Sequence, residues 1–243
     1  MKTLGIILAR AGSEGLRNKH LKSLRGKAVI EYAFGHARDS KLLSKTVIST
    51  DCPIIKNMAR ASGLAVVDRP AELATSTASV QDAMLHAMKS YEAESGETFD
   101  CLVVLYGNVP LRGAGVIDRA ISLLQSSGCD SVRSFCPVSK WHPAWMSKLH
   151  GDRVEALLPG SVHRRQDLEP LFLHDGAVVA VSRESMLRGV EHPEDPHAFF
   201  GVDRRGIETE FGETVEIDRP RDLYLAEAIL REQAAVAMNA RVA

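Results

Sequence analysis

The chain has 243 residues, 45% of them hydrophobic and 25% charged, which is ordinary globular composition and suits one α/β domain across residues 1–243 with a modest addition. A formal net charge of -1 and a pI near 6.8 exclude a broad field that would favour nucleic acid or an anionic membrane, so neither is an expected partner. No run approaches the roughly 18 apolar residues of a membrane span. The apolar start, Leu4 to Ala9, is cut by Arg10 too early for a signal segment. Four scattered cysteines without a CxxC pair argue against a zinc site or disulfide framework and for a reducing, cytoplasmic setting.

In chain order, the first strand is predicted at Thr3–Leu8, followed by strands at Thr46–Ser49 and Leu64–Val67. Val80, Met84, Ala87 and Met88 recur at helical spacing; a strand at Leu102–Leu105 comes next. Val116, Ile117, Ala120, Ile121 and Leu124 mark a further helix, before strands at Ser131–Ser134 and Ala177–Val181. Pro220 suits the first turn of a last helix whose apolar face is Leu223, Ala226, Ile229 and Leu230. Such alternation predicts βαβ units, a mostly parallel sheet and a Rossmann-like three-layer αβα fold. The stretch 137–175 breaks the rhythm with prolines, glycines, Trp141 and Trp145, and reads as an insertion for dimerisation or a lid.

The first strand runs into Ala9-Arg10-Ala11-Gly12-Ser13-Glu14-Gly15-Leu16-Arg17-Asn18-Lys19. A glycine-rich loop at the carboxyl end of a first strand is where open α/β sheets bind phosphates. Its glycines let N–H groups converge on an anion, and Arg10, Arg17 and Lys19 supply charge. The spacing is neither GxGxxG nor GxxxxGK[ST], so dinucleotide and Walker readings fail.

The whole run ILARAGSEGLRNKHL, Ile7 to Leu21, resembles the signature loop of the acylneuraminate cytidylyltransferase family, which is usually close to ARxxSKGLPxKN. Further segments are similar in the same order. These are Ser49-Thr50-Asp51, then Arg69-Pro70-Ala71-Glu72-Leu73-Ala74 with Thr77-Ala78-Ser79, then Arg165-Gln166 with Leu168, Phe172 and Gly176-Ala177. Last come Glu216-Ile217-Asp218, Asp222-Leu223 and Ala226-Glu227. Five motifs in order span nearly the whole chain.

The resemblance implies transfer of CMP from CTP to the anomeric hydroxyl of an acidic sugar, with pyrophosphate leaving. The implied acceptors are sialic, legionaminic, pseudaminic or other ulosonic acids. Catalysis then rests on positioning and charge neutralisation with Mg²⁺ as cofactor. Arg10, Lys19, Arg165 and Asp218 are the implied catalytic residues. Ala9, Arg10, Gly12, Ser13, Arg17, Lys19, Arg69 and Ser79 would hold the nucleotide. Tyr106, Asn108, Arg165, Gln166 and Asp175 would face the acceptor. Glu216 and Asp218 would hold the metal, since i and i+2 of a strand share a face. The resemblance also implies a homodimer built on the insertion, where His142 is a candidate acid or base.

Some positions depart from the family pattern. Glu14 stands where a loop lysine is usual, Arg17 replaces a proline, and His20 an asparagine. Tyr106-Gly107-Asn108-Val109-Pro110-Leu111-Arg112 keeps the ending of QPTSPLR but loses its glutamine. It also aligns with the QGDEP of deoxy-octulosonate cytidylyltransferases, with Asn108 at the metal-binding aspartate. Asp175 replaces an asparagine. Two alternatives therefore stand: a related nucleotidyltransferase with a different triphosphate or a non-sialic acceptor, and a catalytically lapsed nucleotide-binding protein.

Overall fold

The computed structural model describes residues 1–12, 15–158, 160 and 164–239. Ser13 and Glu14, named above, lie outside the described residues.

Strand β1 (Thr3–Leu8) leads through the loop to a two-residue pair, β2 (Ser23–Leu24) and β3 (Lys27–Ala28), and helix α1 (Val29–Asp39). Next come β4 (Lys45–Thr50), α2 (Pro53–Ala61), β5 (Ala65–Asp68), α3 (Val80–Ser95), β6 (Cys101–Tyr106), α4 (Val116–Ser127) and β7 (Ser131–Pro137). A hairpin of β8 (Ser147–His150) and β9 (Arg153–Ala156) stands apart. The chain then returns through β10 (Phe172–Ser182), α5 (Arg183–Gly189), β11 (Arg204–Glu208) and α6 (Pro220–Asn239).

The seven-stranded sheet runs β11-β7-β10-β6-β1-β4-β5. β10 is antiparallel to β6 and β7, and the other pairings are parallel. Alternation along β1 sends Leu4, Ile6 and Leu8 to one core and Ile7 to the other. On one face these meet Ala83, Met84, Ala87 and Met88 of α3; on the other, α1, α2 and α4 supply Ile30, Phe34, Ile55 and Ile121. The three-layer expectation is met. A smaller third core seats Ala226 of α6 against Leu24, Leu111, Val215 and Ile217. No helix among the described residues is long and apolar enough to cross a membrane.

Each predicted strand is present: Thr3–Leu8 as expected, Ala65–Asp68 shifted by one residue, and the others extended, most of all at Phe172–Ser182. The 137–175 region differs more. It holds short 3-10 turns and the β8–β9 hairpin, and its ends join the main sheet, because Phe172 pairs with Pro137 at an extension of β10 and β7. The helices α1, α2 and α5 and strand β11 were not anticipated. α1 begins where the Glu31 carboxylate accepts a bond from the Ala28 N–H (2.6 Å), a first-turn signal without a usual capping residue. β11 is polar and largely exposed, so it lacks the apolar alternation by which strands are recognised.

Packing is close where α5 meets the turn at Phe199. A Cβ added to Gly189 would lie 2.7 Å from the backbone of Phe199. Gly189→Ala is expected to lower unfolding free energy by about 1–3 kcal/mol, visible as a fall of several degrees in the thermal midpoint.

Candidate active site

A cavity of about 330 Å³ opens at the carboxyl ends of β1 and β6, as the rule for open α/β sheets requires. Arg10, Lys19 and Arg69 bring positive charge to it, and Glu216 and Asp218 bring negative charge. Tyr106, Asn108, Ser79, Thr75 and His20 are further polar walls, while Leu8, Leu16, Leu73, Val80 and Ala83 supply apolar ones. Residues from the two ends of the chain thus converge on one space.

The glycine-rich loop after β1 is tied down at the end of β4. The Asp51 carboxylate accepts the Ala11 N–H at 2.7 Å, and Ala9 N–H bonds the Ser49 carbonyl. Arg10 turns back, its guanidinium bonding the Gly12 carbonyl at 3.0 Å. Gly12 has φ of 71°, a left-handed conformation that suits glycine. Gly15 passes so near the carboxylate segment that a Cβ there would stand 2.6 Å from the Asp218 carbonyl oxygen. Lys19 reaches Asp218, Nζ to Oδ1 2.6 Å.

Arg69 is buried, donating from Nε to the Ser49 hydroxyl (3.0 Å) and from Nη2 to the Ser49 carbonyl (2.8 Å). Burial pulls its pKa down to about 10 despite the nearby Asp51. His20 is buried on the same wall, and its pKa falls to about 3 through burial first, then the charges of Lys19, Arg69 and Arg10. It is therefore a neutral imidazole among cations. Ser79 caps α3, its hydroxyl oxygen accepting the Asp82 N–H at 2.9 Å. The positive end of α3 consequently faces the cavity.

Glu216 and Asp218 do not lie on a regular strand, contrary to expectation. They sit on an extended segment joined to the Asn108–Leu111 loop by Ile217 N–H to Asn108 O (2.8 Å) and Val215 N–H to Leu111 O. The alternation survives: Val215 and Ile217 are buried in the third core, and the two carboxylates share the open face. Asn108 is buried beneath them. Its amide nitrogen donates to Glu216 Oε1 (2.8 Å), to the Ile217 carbonyl (3.2 Å) and to Asp218 Oδ1 (3.3 Å). Asn108 therefore works by holding the carboxylates together.

Beneath this loop lies Arg112. Its Nε donates to Ala177 O, Nη1 to Val109 O and His36 Nδ1, and Nη2 to Tyr106 O, at 2.6–3.0 Å. Burial draws its pKa down to about 9. His36 beside it is pushed to about 3, by burial first and Arg112 second, and so is a neutral acceptor.

Several expected site residues lie elsewhere in the chain. Ala9 is buried in the core and Arg17 is exposed; neither they nor Gly12 line the cavity. Arg165 and Gln166 are exposed on a 3-10 turn of the insertion, which carries them away from this cavity. Asp175 is not a cavity wall but a brace. Its oxygens accept from the hydroxyls of Ser134, Thr209 (2.7 Å) and Thr214 (2.9 Å) and from Ala177 N–H (3.1 Å). His142 is committed as well, accepting Ala144 N–H at Nδ1 and bonding the Glu169 carbonyl through Nε2. The cavity-lining His20 and the loop anchor Asp51 were not singled out as site residues. Both belonged to quoted motifs, but nothing in the sequence says which side chains a loop turns inward.

The family model for cytidylyltransferases matches residues 4–241. The chain belongs to the cytidylyltransferase family, whose members are nucleotidyltransferase enzymes. It is 33% identical over 192 residues to an N-acylneuraminate cytidylyltransferase of Streptococcus agalactiae serotype V, covering 77% of this chain and 45% of that protein. The chain thus spans less than half the length of that relative. With a CMP-N,N'-diacetyllegionaminic acid synthase of Legionella pneumophila it shares 25% identity over 233 residues, 95% of this chain and 97% of the relative. A CMP:2-keto-3-deoxy-manno-octonic acid synthetase solved with CTP superposes with a TM-score of 0.73 at 18% identity. That match covers 96% of this chain and 100% of the solved one, and it shows the shared fold.

The Asp175 brace has a pH signature. Burial pushes its pKa up, but the bonds from Ser134, Thr209, Ala177 N–H and Thr214 outweigh that and hold it below 3.8. Its stabilisation is therefore complete above pH 3.8 and lost as pH falls through the lower folded value. Asp175→Asn is expected to cost about 1–2 kcal/mol at neutral pH. The gap between variant and parent in denaturant unfolding should narrow below that pH.

Proposed function

We propose that this chain transfers CMP from CTP to the anomeric hydroxyl of an acidic sugar of the sialic or ulosonic type, releasing pyrophosphate. The observation that carries the reading is the cavity itself. Arg10, Lys19, Arg69 and the N-terminus of α3 share one space with the Glu216 and Asp218 carboxylates, and its remaining walls are part apolar and part polar. That arrangement suits a triphosphate at the charged end and a nucleoside against Leu8, Leu73, Val80 and Ala83. The relatives' names support the sugar class.

In this reading Arg10 and Lys19 bind the triphosphate, and Arg69 and the neutral His20 hold the nucleoside end. Tyr106 borders the acceptor side next to Glu216. The transfer asks the protein for alignment and charge, with little covalent chemistry. Mg²⁺ fits the donor set. Glu216 and Asp218 lie together on the open face at the cavity, linked through the Asn108 amide, and two carboxylates plus substrate phosphates are a usual environment for this ion. When bound there, Mg²⁺ would neutralise charge on the phosphates. Arg112 keeps the loop bearing Asn108 and Tyr106 in place.

Asp218→Asn is expected to keep the fold and lower kcat on the order of a hundredfold, since charge stabilisation of phosphoryl transfer is worth several kcal/mol. The assay is pyrophosphate release from CTP and Mg²⁺ with N-acetylneuraminic, legionaminic or deoxy-octulosonic acid as acceptor. Release with none of these acids would refute the sugar class, and a variant working at the parent rate would refute the metal assignment.

We also propose a homodimer in the cytoplasm. The insertion exposes Trp141 (60%), Leu149 (71%), Val154 (69%) and Leu173 (63%), a costly apolar surface for a monomer. The same surface would carry Arg165 and Gln166 toward a partner's cavity. All four cysteines are free thiols, as suits a reducing compartment. Sedimentation at micromolar concentration should give twice the mass of the chain; a monomer would overturn this.

A further inference from the structure

The two charged residues that the proposed chemistry most needs are bound to each other. Lys19 Nζ lies 2.6 Å from Asp218 Oδ1. The same oxygen takes a bond from Asn108 at 3.3 Å, and the loop backbone at Gly15 rests against the Asp218 carbonyl. Lys19 stands on a 3-10 turn that carries the buried His20, so its backbone is held, and its ammonium sits at the end of a four-carbon stem with rotatable bonds. The lysine side chain is 19% exposed and the aspartate 55%, so the pair sits at the cavity wall within reach of an incoming ligand.

We propose that the Lys19–Asp218 ion pair is a latch that makes the triphosphate and the divalent cation bind as one unit. It rests on the nucleotidyl-transfer reading above and adds a coupling between its two ligands. A triphosphate arriving alone must take Lys19 from Asp218 and leaves that carboxylate unpaired beside new negative charge. A divalent cation arriving alone must displace Lys19 and leaves two like charges adjacent. When both arrive, the phosphates take Lys19, the cation takes Asp218, and every charge has a partner. Each ligand then raises the affinity of the other by the same factor. For a partly exposed pair that factor is up to about fivefold.

The latch makes a prediction that simple repulsion does not. CTP affinity is measured by calorimetry in EDTA for the parent, Lys19→Gln, Asp218→Asn and the double variant, each first shown to be folded by thermal unfolding. With Lys19 present, Asp218→Asn is expected to strengthen metal-free CTP binding by up to about fivefold, because the lysine is released. In the Lys19→Gln background the same substitution should have a clearly smaller effect. In parallel, Lys19→Gln is expected to tighten Mn²⁺ binding without nucleotide by a similar factor, read by electron paramagnetic resonance. An equal gain in CTP affinity in both backgrounds would mean that Asp218 merely repels phosphate, and the latch would be refuted while the nucleotidyl-transfer reading stood. Failure of the parent to bind CTP even with Mg²⁺ would overturn that reading and the latch together.

Discussion

A guanidinium with all three of its nitrogens bonded into the protein supports one side of this site. Arg112 collects the carbonyls of Tyr106 and Val109 from the loop after β6 and of Ala177 from β10. Carbonyls that turn out of a sheet must find donors or pay for desolvation. Only a planar, multiply donating side chain can serve three of them from one position. With the loop held this way, Asn108 sits beneath Glu216 and Asp218, and Tyr106 at the cavity wall. The retained PLR ending is thus a structural device on which the geometry of the carboxylates depends.

A second brace works in the same manner from the other side. Asp175 joins Ser134 of β7 to Thr209 and Thr214, which lead into the carboxylate segment. β10 changes register between His174 and Val179, beside this brace, and the sheet continues across the irregularity. The sequence departure at 175, an acid in place of an amide, gains acceptor capacity that three hydroxyls and an amide use in full. Neither brace touches the space where a substrate would lie. Charged residues in motifs therefore divide here into those that meet the cavity and those that shape it.

The charge balance within the cavity has its own logic. Arg10, Lys19 and Arg69 crowd one wall, and that crowding together with burial keeps His20 uncharged. The carboxylates beside them are held by the Asn108 amide and, at Asp218, by Lys19 itself. Such a site is close to neutral as it stands, which lets it exist without ligand at modest electrostatic cost. Substitution of Asn for Asp at 108 belongs to that balance: a third carboxylate at that point would repel the other two.

The sequence by itself determined the architecture and the side of the sheet on which the site lies. Thr3–Leu8 and Leu102–Leu105 are recognisable as short apolar runs because strands buried on both faces are apolar throughout, and the stripe on α4 because burial of one helix face imposes a period. The loop after β1 stood out by its glycines and charges, and the Glu216–Asp218 pair only by its place in the family resemblance. What only the tertiary structure decided was which charged side chains face the cavity. Arg10, Arg112, Arg165 and Asp175 look alike as motif residues, yet only the first lines it. Their roles follow from which carbonyls and hydroxyls lie nearby, and those neighbours come from elements as far apart as residues 112 and 177 or 19 and 218. Periodicity is a local property and survives in the sequence; partnership between distant polar groups exists only once the sheet has been assembled.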